Sequence, residues 1–120
     1  MAVTISELVK VVGISKTYLD KRCTDEHLNS IARFGLEWRT IAPHLGLTET
    51  EIEDIEDEDR KNEVKRLKTL QRWKRKCCFK ATYKKLVEVF LHIGRADLAE
   101  KLCTILRSAF SGRWGDFFFL

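Results

Sequence analysis

The residues of this 120-residue chain that could act on another molecule are three histidines, four cysteines and two blocks of opposite charge. Catalysis needs convergent groups, a nucleophile beside a base or two carboxylates in an apolar pocket. His27, His44 and His92 fall on three separate helical patterns, and no Cys-His or Ser-His-Asp spacing stands out. The chain is therefore read as a non-enzyme. Neither paired cysteines nor a His-x-x-x-His spacing offers a metal site, and all six glycines are singletons, so no loop is built to cradle phosphate. No cofactor or metal is expected. Cys77 and Cys78 are adjacent, Cys23 has no C-x-x-C neighbour and Cys103 lies on an apolar stripe, which favours reduced thiols over a disulfide framework.

Charge is the remaining chemistry. Glu49 to Asp59 holds eight acids and no base, whereas Arg60 to Lys85 holds twelve bases against the single acid Glu63. If both stretches are helices exposed on different sides of one body, opposite faces of two copies attract. Such a geometry favours head-to-tail association over a symmetric contact. The acidic face is expected at Glu51, Glu53, Asp54, Glu56, Asp57 and Glu58. The basic face is expected at Lys65, Arg66, Lys68, Arg72, Lys84 and Lys85, on the polar sides of two helices, with Arg39 as a further candidate. Charge-rich helix surfaces are commonly only solvated, so the segregation of sign argues for the faces rather than for any one residue.

Nucleic-acid binding is the alternative. The basic stretch could contact a phosphate backbone, and Trp73 or Tyr83 could stack on a base. Against this, the acidic block repels a polyanion and the net charge is only +4.

Six helices must position these charges. Thr24 caps a first helix over 25–34, burying Leu28, Ile31 and Ala32, and Gly35 stands where a left-handed C-terminal residue is needed. A second, over 38–45, buries Trp38, Ile41, Ala42 and Leu45 before Gly46, with Pro43 predicting a bend or a first turn only partly α. Thr48-Glu49-Thr50-Glu51 is a capping box, and the third helix begins there with Ile52 and Ile55 as its narrow apolar edge. The fourth, over 61–76, carries Val64, Leu67, Leu70 and Trp73 on one stripe. The fifth, over 81–93, buries Leu86, Val87, Phe90 and Ile93. The sixth starts at Ala96 and buries Leu98, Ala99, Leu102, Cys103 and Leu106, with Asp97 near its start and within reach of Arg95. A further capping box, Thr4-Ile5-Ser6-Glu7, predicts an extra N-terminal helix, packed on the bundle or held as a loose arm.

This gives an all-α chain with 1–22 as an N-terminal arm, 23–107 as a six-helix bundle and 108–120 as an aromatic tail with no assigned structure. A hydrophobic fraction of 44%, a charged fraction of 33% and one proline suit a soluble helical domain. The N-terminus has no signal-peptide pattern and no run approaches the roughly 18 apolar residues of a membrane span, so the expectation is a cytoplasmic protein without membrane contact. An exposed Phe117-Phe118-Phe119 would aggregate, so the tail is expected to fold back or to meet a partner.

Three patches together resemble the death domain. They are Gly35-Leu36-Glu37-Trp38-Arg39-Thr40-Ile41-Ala42 leading to Leu45-Gly46-Leu47, then Glu51-Ile52-Glu53-Asp54-Ile55-Glu56, then Ala81-Thr82-Tyr83-Lys84-Lys85-Leu86 leading to Gly94-Arg95-Ala96-Asp97-Leu98-Ala99-Glu100. The resemblance implies an antiparallel Greek-key bundle with Trp38 in its core. It further implies a protein-interaction adaptor of apoptotic or innate-immune signalling, whose partners are other death domains, homotypic or heterotypic, with concentration-dependent self-association. Pro43, the arm and the tail depart from the family pattern.

Overall fold

The computed structural model describes residues 4–35, 37–58 and 61–109, and these are helical with no strand. Leu36, Asp59, Arg60 and the aromatic tail 110–120, including the expectation about Phe117-Phe118-Phe119, lie outside the described residues. In chain order the elements are α1 (Ile5–Val12), α2 (Lys16–Leu19), α3 (Asp25–Ala32), α4 (Trp38–His44), α5 (Glu49–Glu58), α6 (Asn62–Cys77), a 3-10 turn (Cys78–Lys80), α7 (Tyr83–His92) and α8 (Ala96–Arg107). Helices α3 to α8 are the six expected from the apolar spacing, and α1 is the extra N-terminal one. The single turn α2 is new: Ser15 Oγ accepts from the Thr17 amide and caps it, a signal hidden in a segment of mixed character.

Side-chain caps start four of the other helices, because a threonine oxygen satisfies an amide the helix itself leaves unpaired. Thr4, Thr24 and Thr82 accept from the amides of Glu7, His27 and Lys85. At α5 the box is reciprocal: Thr48 Oγ1 accepts from Glu51 N at 3.2 Å, and Glu51 Oε1 accepts from Thr48 N at 3.0 Å. Gly35 and Gly46 follow α3 and α4 at φ 72° and 87°, a left-handed conformation in which any Cβ is strained. Pro43 lies inside α4, whose first turn mixes 3-10 and α bonding, since Glu37 O accepts from both Thr40 N and Ile41 N at 3.1 Å.

The core has two parts. The larger gathers Leu28 and Ile31 of α3, Ile41 of α4, Leu70 and Trp73 of α6, Tyr83, Leu86, Val87 and Phe90 of α7, and Leu98, Leu102, Cys103 and Leu106 of α8. The smaller holds Trp38, Ala42, Leu47 and Ile55, with Ile52 against it, and joins α4 to α5. Ile93 and Val64, expected inside, are only half-buried.

The arm packs on the bundle. Leu8, Val9, Val12 and Leu19 belong to the larger core, with α1 lying on α8 and α2 on α7. Its end is fastened by main-chain bonds: Cys23 N donates to Ala81 O at 2.8 Å, Tyr83 N donates to Lys21 O at 3.2 Å, and Arg22 pairs with Thr82 in a short antiparallel bridge. The buried Tyr83 hydroxyl accepts from Thr24 N at 3.2 Å and meets His27 Nδ1. Burial lowers the His27 pKa below its ordinary 6.5, against a weaker upward pull from Glu26.

Two outcomes follow from this packing. Leu8→Ala should destabilise the whole domain by about 2–4 kcal/mol in urea unfolding, as a buried core truncation does, rather than leave the bundle untouched as a loose arm would. For His27, the unfolded chain binds the proton first as pH falls, so stability holds above pH 6.5 and declines below it. His27→Gln should flatten that decline in melting temperature measured from pH 7.5 to 5.

Candidate protein-interaction surface

Helices α5 and α6 lie antiparallel, and their charges interlock. Lys76 Nζ meets Glu51 Oε1 at 2.7 Å, Arg72 Nη1 meets Asp54 Oδ2 at 3.8 Å, Lys68 Nζ meets Glu58 Oε2 at 2.9 Å and Lys65 Nζ meets Glu56 Oε1 at 2.8 Å. The start of α5 pairs with the end of α6, through Glu51 with Lys76 and Asp54 with Arg72, and the end of α5 with the first half of α6, through Glu56 with Lys65 and Glu58 with Lys68. The two faces that the sequence predicts as separate therefore neutralise each other in part within one molecule.

Lys65 and Arg66 need the largest correction. The sequence places both on the polar side of their helix, whereas Lys65 is buried and Arg66 is half-buried against α3. The Lys65 side chain is only 9% exposed, and its ammonium lies 6.0 Å from the Trp38 ring centroid. Arg39 flanks the same ring at 5.7 Å and reaches Glu56 Oε2 at 3.4 Å, so one carboxylate ties two cations around a buried indole. Arg66 Nε donates to Ala32 O at 2.6 Å, placing a cation on the C-terminal carbonyls of α3 where the helix dipole favours it. The Lys76 hydrogen bond and the Thr48 amide hold the Glu51 carboxyl down to about 2, and the Lys65 hydrogen bond lowers that of Glu56.

An outward-facing remainder is left. Of the six expected acids, Glu53 and Asp57 are exposed and make no ion pair among the described residues, and Glu49 joins them at the same four-residue spacing. These three form one stripe on the far side of α5 from the interlock. Of the seven expected bases, Lys84 and Lys85 are exposed at the start of α7 and make no ion pair among the described residues. Arg22, Arg75 and Lys80, absent from the sequence-derived set, are exposed and likewise lack an acidic partner among the described residues. A helical wheel drawn with α6 as the neighbour of α5 selects Glu49, but the sequence does not say that they are neighbours.

Other candidate chemistry is also settled by packing. Burial pushes the Cys23 thiol up to about 12 and the Cys103 thiol up to about 11, which leaves both as inert core side chains. His44 and His92, scattered in the sequence, come together with ring centroids 5.0 Å apart in an edge-on contact, and Glu88 and Lys85 line the same open groove of about 310 Å³. Among the described residues no group of three His, Cys, Asp or Glu side chains is placed to hold a metal ion. No helix among them is long and apolar enough to cross a membrane. Arg95 clasps Asp97 through two bonds of 3.0 Å, the pairing expected at the start of α8.

The inward and outward lysines should behave differently on charge reversal. Lys65→Glu sets a carboxylate against Glu56 beside Trp38 and should lower the melting temperature by several degrees. Lys85→Glu should leave it within a degree or so, as measured by thermal circular dichroism.

Comparison with known proteins agrees with this architecture. The death-domain family model matches residues 23–106. Mouse THO complex subunit 1 is 35% identical over 86 residues, which cover 69% of this chain and 13% of that protein, so the chain spans a small part of that relative's length. No solved structure matches. Helices α3 to α8, Trp38 packed between α4 and α5, and the match over residues 23–106 together place the chain in the death-domain family.

Proposed function

We propose that the protein is an adaptor of apoptotic or innate-immune signalling that binds other death domains, homotypic or heterotypic, through asymmetric contacts between an acidic and a basic surface. Death domains are protein-interaction modules, and the family match supplies that general part. The observation that carries the finer reading is the acidic stripe Glu49, Glu53 and Asp57, which makes no ion pair among the described residues, on a helix whose inner acids are paired with α6. Its complement is the exposed pair Lys84 and Lys85. The two lie on helices with different neighbours, α5 against α4 and α6, and α7 against α8, α2 and α4. A surface on one helix meeting a different surface on the next molecule gives a head-to-tail contact.

Magnitudes favour a weak, multivalent association. An exposed ion pair contributes about 0.2–1 kcal/mol and is screened by salt, so two or three pairs per contact guide the encounter without holding it. Stable assembly then depends on several contacts engaged together. The setting suggested by the family is the cytoplasm.

Reversing Glu49, Glu53 and Asp57 together to lysine should leave the helical circular-dichroism spectrum and melting unchanged while weakening association at least tenfold by light scattering. A copy carrying Lys84→Glu and Lys85→Glu should restore the pairing. Tight binding to a DNA or RNA duplex by a protein that stays monomeric across the same salt series would replace this reading with the nucleic-acid one.

A further inference from the structure

Phe79 is the most exposed large apolar side chain among the described residues, at 88%. It stands on the 3-10 turn after α6, and that turn is fixed in place. Cys78, just before it, is the one non-glycine residue of positive φ among the described residues, at φ 49° and ψ −106°. A conformation so unfavourable for a side chain persists only where its surroundings impose it. Here the restraints are Cys78 Sγ donating to Arg75 O at 3.3 Å, Ala81 N donating to Cys78 O at 3.3 Å, and Ala81 O held by Cys23 N. The phenyl ring is thus presented by an anchored turn, between Arg75 and Lys80, bases with no acidic partner among the described residues.

A groove of about 460 Å³ opens between the end of α3 and the outer face of α8, lined by Phe34, Ile105, Thr104, Lys101, Asp97 and Glu100. Its apolar floor is Phe34 and Ile105, both half-buried. On the rim, Asp97 is held by Arg95, and Glu100 has no ion-pair partner among the described residues. Lys101 rests its ammonium 5.7 Å from the Phe34 centroid and is exposed, so its flexible stem can leave the ring.

Projection and groove sit at opposite ends of the bundle. Helix α3 runs antiparallel to α6: Asp25 at its start pairs with Lys74, and Ala32 at its end accepts from Arg66. Phe34 therefore lies level with the first half of α6 and Phe79 lies beyond its last turn. The twelve residues from Arg66 to Cys78 amount to roughly 18 Å of helix rise. One molecule cannot bring its own ring to its own groove, whereas a second copy can.

We propose that Phe79 of one copy inserts into the Phe34–Ile105 groove of a second copy, with Arg75 and Lys80 beside Asp97 and Glu100. The inference rests on the self-association in the reading above and gives it an apolar anchor, a contact distinct from the α5 stripe. A side chain buried in a desolvated pocket on the partner, with a surround that excludes water, is how interface hot spots are built. Because projection and groove are different surfaces, each docked copy leaves one of each free, and the assembly grows without closing.

The test is sedimentation velocity of the full chain over a concentration series, with Phe79→Ser and Ile105→Arg. Each variant alone should weaken association at least tenfold with an unchanged circular-dichroism spectrum, and Thr104→Arg at the groove rim serves in place of Ile105→Arg should the latter unfold. Mixed in equal amounts, the two should form a dimer that grows no further, since one retains the projection and the other the groove. If the wild type assembles and both variants assemble equally well, this inference fails and the charge-based reading stands. A wild type that stays monomeric at every concentration overturns the inference and the self-association, leaving heterotypic binding to be read from the α5 variants. Binding of Phe79-dependent monomers to phosphatidylserine vesicles, without assembly, would overturn it by assigning the ring to a lipid surface.

Discussion

Glu56 is the point on which the α4–α5–α6 corner depends. Helix α5 buries only Ile55 fully, too little apolar area to hold a ten-residue helix by itself. The helix stays docked because its inner edge faces a helix rich in bases, and because Glu56 gathers Lys65 and Arg39 on either side of Trp38. Lys65 is largely removed from water, and such a charge is tolerable only with a carboxylate at hydrogen-bond distance. The carboxyls of Glu51 and Glu56 are correspondingly lowered. Their contribution to docking is therefore present above the ordinary carboxylate range near 4.5 and is lost as pH falls, for Glu51 toward about 2.

This internal use of charge reshapes the exterior. A chain with eight acids beside twelve bases need not be a dipole, because antiparallel packing of the two stretches brings opposite signs to the same seam. What faces outward is the remainder, a three-acid stripe on α5 and bases at the other end of α6 and on α7. The remainder is smaller than the sequence suggests and better defined. It also leaves apolar features, the Phe79 ring and the Phe34–Ile105 groove, for a partner to bury.

The N-terminal arm is part of the same body. Leu8, Val9 and Val12 of α1 pack against α8, and the Arg22–Thr82 bridge ties the chain entering α3 to the chain entering α7. The family match begins at residue 23, but the core begins at Leu8. Burial of His27 beside Tyr83 lowers its pKa and couples this junction to proton uptake below the ordinary histidine value.

Seven of the eight α-helices among the described residues, most of their bounds and nearly all their buried faces are determined locally, by threonine caps, helix-ending glycines and three- and four-residue apolar spacing, and so they are legible in the sequence alone, whereas the single turn α2 is not. The apolar stripe of α8 is read without error, and the reciprocal cap of Thr48 and Glu51 forms as its spacing requires. Tertiary structure alone decides which helices are neighbours, because that depends on summed packing of distant segments and leaves no local mark. For that reason Lys65 and Arg66, polar by type, fasten α6 to α5 and α3, and Glu49 emerges on the outer stripe. For the same reason His44 meets His92, and a strained cysteine holds Phe79 out into the solvent.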